Sequence, residues 1–155
     1  MAVTQDQFVV TQVDSELGGM FGHSELFIEH WDGPQNRVEA FKIHVQTLGG
    51  PKIDIVPIVG AIDTTPPRVR SHRSYIATRQ QYDTIMQTAA EIKRKMKART
   101  ISYAEIRPDR DHRWKTVTNE GEAEMSCKSF TDILLVEAGL RTGFGGKFIN
   151  HPGDL

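Results

Sequence analysis

The chain contains one cysteine, Cys127, at the start of a segment that has the pattern of a helix. Ser126 is a suitable N-cap for this helix, and the apolar run 133–136 follows. Unpaired N–H groups and the positive end of the dipole at a helix N-terminus favour a thiolate over a thiol. Cys127 is therefore a candidate nucleophile, although a lone cysteine is more often a small buried apolar residue.

A cysteine hydrolase also needs a base beside the sulfur and a third polar group that orients the base. Among six histidines, His23 is well placed because it opens a predicted strand, where a cleft can reach its ring. Glu39 lies on the next predicted strand. A hairpin between the two strands would let the Glu39 carboxylate contact the far ring nitrogen of His23. Together these residues predict a Cys127–His23–Glu39 site.

A metal site is an alternative use of the same histidine. His23 and Glu25 are two positions apart and so share one face of the strand, and His44 or His112 could supply a third ligand. The sequence has no typical zinc spacing such as His-Glu-x-x-His. It therefore favours a site without a metal, and it indicates no other cofactor.

The composition fits a single catalytic domain, 1–155, and argues against several kinds of partner. A formal charge of -1 produces no field that would attract nucleic acid or an anionic membrane. The basic stretch 93–99 has no interleaved aromatic residues for stacking bases. We expect no nucleic-acid partner and no stable membrane insertion. We also expect synthesis in the cytoplasm, because the N-terminus lacks the pattern of a signal peptide.

The elements that must position these residues differ between the two halves of the chain. Strand patterns dominate the first half, and a turn at 32–34 predicts a hairpin there. Thr78 and Gln81 form a capping-box pattern that opens a long helix. The fold class is therefore α+β, with an antiparallel sheet packed against the nucleophile-bearing helix and a second long helix. The predicted elements are strands at 8–13, 25–31, 37–45, 53–59 and 101–106, helices at 78–96 and 127–138, and a surface loop at 107–124.

The order of these motifs resembles a known family, the circularly permuted branch of the NlpC-type papain-like cysteine hydrolases. The resemblance runs from about Gly22 to Leu155 and implies a papain-like fold in which the histidine strand precedes the cysteine helix. The matching segments are GHSELFIE at 22–29, RVEA at 37–40, the long helix after Thr78, Ser102-Tyr103, MSCKSF at 125–130 and the closing PGDL at 152–155.

This resemblance implies a role for each site residue. Cys127 would be the nucleophile, His23 the general base and then acid, and Glu39 the orienting residue. Ser126 and Tyr103 would contact the substrate. The reaction would be cleavage of an amide bond through a thioester, with peptidoglycan peptides as the substrate class. Such an enzyme could be an effector exported by a specialised secretion system, with a cognate immunity or inhibitor protein as partner.

Two other functions fit the same residues. A lipid acyltransferase or phospholipase, resembling the lecithin:retinol acyltransferase group, would use the same Cys–His site. The apolar anchor expected of that group is missing from the sequence. Outside the enzymes, the alternative is a non-catalytic binding module in which Cys127 is simply buried.

Overall fold

The computed structural model describes residues 7–18, 21–46, 52–65, 68–97, 101–103, 123–125 and 127–141. Within these ranges the chain forms a five-stranded sheet, a separate pair of short strands and two helices. The elements in chain order are β1 (Gln7–Gly18), β2 (Phe21–Trp31), β3 (Arg37–Gln46), β4 (Lys52–Pro57), β5 (Val69–Ala77), α1 (Arg79–Lys97), β6 (Ile101–Tyr103), β7 (Ala123–Met125) and α2 (Cys127–Glu137).

The large sheet has the strand order β4-β3-β2-β1-β5, and all its neighbouring strands are antiparallel. β6 and β7 pair in parallel in the second sheet. The predicted α+β class with an antiparallel sheet is confirmed. β4 lies at an edge, as expected for a strand that contains Pro57.

β5 was not predicted from the sequence, and its position explains why. It is an edge strand, and its central residues 70–74 are exposed and polar. The apolar alternation that marks a half-buried strand is therefore absent there. Most of the predicted loop at 107–124 lies outside the described residues, and its C-terminal end overlaps β7.

One face of the sheet, called here the helix face, packs against α1 and α2. Leu26 and Ile28 of β2 and Ile43 of β3 are fully buried on this face, together with Phe130 and Leu134 of α2. The strand period of two places Leu26 and Ile28 at alternate positions of β2, and Phe41 and Ile43 at alternate positions of β3. The remaining positions of each strand project from the opposite face.

The capping box predicted at the start of α1 is present. The backbone N–H of Thr78 donates to Oε1 of Gln81 at 2.9 Å, and the N–H of Gln81 donates to Oγ1 of Thr78 at 3.1 Å. α1 packs on the sheet through an apolar stripe that is buried at Ile85, Ala89 and Ile92. In the described part of the chain, neither helix has the length and apolar character of a membrane span.

A buried polar network fixes α2 against β1 and β2. Nε2 of Gln12 donates to Oγ1 of Thr131 at 2.9 Å and to Oδ1 of Asp132 at 2.7 Å. The hydroxyls of Ser24 and Thr131 share a hydrogen bond of 2.7 Å, and Arg141 pairs with Asp132 at 2.6 Å. Because Thr131 and Asp132 are fully buried, these bonds specify where the helix lies on the sheet.

The opposite face of the sheet is crossed by the chain itself. β4 and β5 lie at opposite edges of the sheet, so the connection between them must pass over β3, β2 and β1. Residues 58–64 of this connection lie over side chains of β1 and β2. We call this side of the sheet the cleft face.

We expect Asp132→Ala to lower the free energy of unfolding by about 3 kcal/mol. The substitution leaves Arg141 without its charged partner and removes one of the two buried acceptors of the Gln12 amide. Urea denaturation followed by circular dichroism measures the change. The control Asp83→Ala removes an exposed carboxylate on α1. A loss no larger than that of the control would contradict the proposed importance of the network.

Candidate functional site

Four polar side chains meet on the cleft face, where β2 lies beside β3. They are His23, Glu25, Lys42 and His44, called here the Glu25 cluster. Oε2 of Glu25 lies 2.8 Å from Nζ of Lys42, 3.4 Å from Nε2 of His23 and 3.6 Å from Nδ1 of His44. One carboxylate oxygen therefore faces three nitrogen atoms.

The strand geometry accounts for this arrangement. His23 and Glu25 are two positions apart on β2 and so project from the same face. The antiparallel ladder pairs Leu26 with Ile43 and Phe27 with Lys42, and its next step places Glu25 opposite His44. The two imidazole rings lie 6.0 Å apart between centroids and are nearly perpendicular.

Glu25 is ionised at neutral pH despite its burial. Only 8% of its surface is exposed, and this burial alone would raise its pKa. Hydrogen bonds from His23 and Lys42, with the charges of these groups, outweigh the burial and lower the pKa of Glu25 to about 2. Burial also lowers the pKa of His44, so its ring is neutral at neutral pH. The cluster combines a fixed anion with a neutral imidazole.

A cleft of about 220 Å³ adjoins the cluster. Glu25 and Lys42 line one side, and residues 58–63 of the crossing connection line the other. Phe27 and Ile62 form an apolar part of the cleft wall. Arg68 and Asp63, which form an ion pair at 3.2 Å, are charged residues of the same wall. A small ligand in this cleft would contact both apolar surface and the Glu25 cluster.

The predicted contact between Glu39 and His23 does not form. Glu39 pairs with His30, seven positions further along β2 than His23, which is roughly 23 Å at the rise of an antiparallel strand. The two residues also belong to opposite faces, because the His30 ring stacks on Phe8 in the core of the helix face. The carboxylate beside His23 is that of Glu25.

Cys127 begins α2, as predicted. Its side chain, the side chain of Tyr103 and the whole of Ser126 lie outside the described residues, so their roles stay predictions. His112, one of the possible third metal ligands, lies outside them too. Among the described residues, the third possible metal ligand beside His23 and Glu25 is His44.

A contact between Thr131 and Ser24 places α2 relative to the strand that carries His23. Thr131, one helical turn after Cys127, bonds to Ser24, which is next to His23 in β2. The start of α2 therefore belongs to the same region as the start of β2. Ser24 and His23 project from opposite faces of the strand, however, so His23 lies on the cleft face and α2 on the helix face.

Comparisons of this chain with protein-family models, with curated proteins and with solved structures found no match. The resemblance to the permuted NlpC-type hydrolases therefore stays a prediction. The geometry of the described residues is what bears on function.

Glu25→Gln should flatten the dependence of stability on pH. The pKa of Glu25 is lower in the folded protein than its usual value of 4.5, so the carboxylate stabilises the fold above about pH 4.5. This stabilisation, at most about 3 kcal/mol, is lost as the pH falls toward 2. Urea denaturation at a series of pH values, with a chelator present, measures it.

The matched control for this measurement is Glu29→Gln. It removes a carboxylate from the same face of β2, where Glu29 pairs with Arg37 at 3.1 Å outside the Glu25 cluster. If Glu25→Gln loses stability on acidification as steeply as the wild-type protein, the ionised state of Glu25 is not what stabilises the cluster.

Proposed function

We propose that this chain is a cysteine hydrolase that cleaves an amide bond, with Cys127 as nucleophile and His23 as base. Glu25, instead of Glu39, is the carboxylate that orients the imidazole. The observation that carries the proposal is the hydrogen bond between Thr131 and Ser24, which holds the cysteine-bearing helix against the histidine-bearing strand. The general architecture also supports a papain-like arrangement, in which a helix carrying a thiol lies on an antiparallel sheet.

The proposal requires the thiol and the imidazole to meet at the end of β2. His23 is only the third residue of the strand, so its ring lies near the end of the sheet. Cys127 is the first residue of α2, one turn before the Ser24 contact. The proposal therefore requires the thiol to reach the ring past the end of β2, a route that does not pass between strands.

The mechanism begins when His23 takes the proton of the Cys127 thiol. The thiolate adds to the amide carbonyl carbon, and the backbone N–H groups at the start of α2 donate to the developing oxyanion. The imidazolium of His23 then gives its proton to the leaving amine as the C–N bond breaks. Water, deprotonated by His23, hydrolyses the thioester and regenerates the thiol.

Glu25 contributes to this mechanism through its charge and position. Its ionised carboxylate accepts a hydrogen bond from the His23 ring and stabilises the imidazolium that forms during the reaction. Because the pKa of Glu25 is about 2, the carboxylate does not take up the proton itself at neutral pH. Lys42 also contacts this oxygen, at 2.8 Å.

The cleft supports a peptide as the substrate class. Its walls combine apolar side chains with the charges of Lys42, Asp63 and Arg68. A lipid acyl chain in this cleft would have to desolvate these charges without replacing their contacts, which is unfavourable. A peptide that carries a carboxylate could pair with Lys42 or Arg68. Peptidoglycan peptides have this chemistry, and export to the cell wall and a protective inhibitor protein belong to the same proposal.

Cys127 should react with iodoacetamide about tenfold faster than a free thiol near pH 6, where a thiolate next to an imidazolium persists. The chain has one cysteine, so the mass of the adduct reports Cys127 alone. His23→Ala and Glu25→Gln should slow the reaction, and the control Glu39→Gln should leave it unchanged. A thiol that reacts no faster than a free one, or not at all, would exclude a nucleophilic role.

Incubation with purified peptidoglycan fragments should release new amine termini that mass spectrometry detects. Cys127→Ala should lower the rate by at least about 1,000-fold, as expected when a nucleophile is removed. Phospholipid vesicles, tested in parallel, should give no cleaved lipid. Products from vesicles alone would favour the acyltransferase or phospholipase, and cleavage that survives Cys127→Ala would refute both thioester mechanisms.

A further inference from the structure

We propose that His23, Glu25 and His44 form a binding site for a divalent transition metal ion, with Zn²⁺ as the best match. Two imidazoles and one carboxylate are a donor set that Zn²⁺ commonly takes in proteins. His23, Glu25 and His44 each offer a ligand atom within 4.8 Å of the other two, and Oε2 of Glu25 faces Nε2 of His23 and Nδ1 of His44. The binding proposal depends on this geometry and not on the proposed hydrolase activity.

The distances fit a tetrahedral ion after a small adjustment. With zinc–ligand bonds of about 2.0–2.1 Å, two ligand atoms of a tetrahedral site are roughly 3.4 Å apart. The distances from Oε2 of Glu25 to the two ring nitrogens, 3.4 and 3.6 Å, already match this value. The ligand nitrogens of the two rings lie within 4.8 Å of each other. Rotation of the rings would bring them to the tetrahedral separation and leave the backbone in place.

The three ligands are held in position before a metal binds. They project from two paired strands in the middle of the sheet, and their side chains are only 16%, 10% and 15% exposed for His23, Glu25 and His44. Side chains on rigid elements lose little conformational entropy when they bind an ion. A fourth coordination position would be left for water or for a ligand in the adjoining cleft.

Lys42 is the competitor at this site. Its ammonium group lies 2.8 Å from the Glu25 oxygen that would bind the metal, and the two cations cannot both occupy that position. The Lys42 side chain is 27% exposed and has a flexible stem, so it can turn away from Glu25 into the cleft. This competition predicts that removal of Lys42 tightens metal binding, whereas removal of a ligand weakens it.

The site has a consequence for activity that rests on the proposed function. A metal bound to Nε2 of His23 occupies the nitrogen beside Glu25 and fixes the ring on the cleft face. With the metal on Nε2, the neutral ring carries its proton on Nδ1, so neither ring nitrogen could accept the proton of Cys127. Zn²⁺ would therefore inhibit the hydrolase reversibly, and a chelator would restore its activity.

The test is titration of the folded full-length chain with Zn²⁺ by calorimetry and with Co²⁺ by visible absorption. All variants are made in a Cys127→Ser background, so that the thiol cannot be a ligand. His44→Gln and His23→Gln should each raise the Kd for Zn²⁺ by more than about 100-fold, the upper end of what loss of an outer-shell partner causes. The matched control His72→Gln, an exposed histidine of β5, should leave the Kd unchanged.

Lys42→Met should change the Kd for Zn²⁺ in the opposite direction. It should lower the Kd for Zn²⁺ by about two- to fivefold, because it removes the ion pair between Lys42 and Glu25 that competes with the metal. One equivalent of tetrahedral Co²⁺ in the parent protein, lost in His44→Gln and strengthened in Lys42→Met, would support the site. Equal Kd values for the parent and for both histidine variants, with folding confirmed by circular dichroism, would overturn it.

The outcomes separate the two proposals. Metal binding is read without any measurement of activity, so its failure leaves the Cys127 hydrolase standing. A thiol that fails to react with iodoacetamide would remove the hydrolase and leave the metal site unaffected.

Discussion

The register between β2 and β3 is the constraint on which the site depends. Pairing of Leu26 with Ile43 places Glu25 beside His44 and Lys42 and leaves Glu39 at the far end of the hairpin. A slip of one residue would move every side chain of β3 to the other face, exposing Ile43 and burying Lys42. The apolar residues of the helix face therefore hold the register, and the same register assembles the polar cluster on the cleft face.

The burial of Glu25 explains why its neighbours are nitrogen donors. An ionised carboxylate with little access to water is unfavourable unless several groups donate to it or carry a compensating charge. Lys42 and His23 meet this need, and as a result the Glu25 carboxylate stays charged well below neutral pH. The feature that would orient a catalytic imidazole is thus the feature that would attract a metal ion. Lys42 would compete with a metal ion for the Glu25 oxygen, because its ammonium group already lies 2.8 Å from it.

The sequence predicts those parts of the fold that follow a period. The stripe at Ile85, Ala89 and Ile92 identifies α1, and the alternation at Phe41, Ile43 and Val45 identifies the buried face of β3. β5 has no such alternation because it lies at an edge. The network of Gln12, Thr131 and Asp132 cannot be predicted from the sequence either, because contacts between buried polar residues that are distant in sequence leave no periodic signal.

The error in the candidate site has a different origin. The sequence places His23 and Glu25 on one face, but the prediction assigns His23 a partner on the next strand. Which residue of that strand lies near His23 depends on the register of the hairpin, which the turn and the apolar pairing set together. The turn is closed by a hydrogen bond from the N–H of Asp32 to the carbonyl of Asn36, and it sets Glu39 against His30.

The two proposals place different demands on this fold. A metal ion would need only the cleft face, where His23, Glu25 and His44 each offer a ligand atom within 4.8 Å of the other two. The hydrolase needs both faces, because α2 lies on one side of β2 and the His23 ring on the other, and the two can meet only where the strand ends. His23 satisfies that condition because it is two residues from the start of β2, whereas a histidine at the middle of the strand, however well oriented by a carboxylate, could not. The position of His23 along β2, more than its immediate partners, is therefore what keeps a thiol mechanism compatible with the sheet.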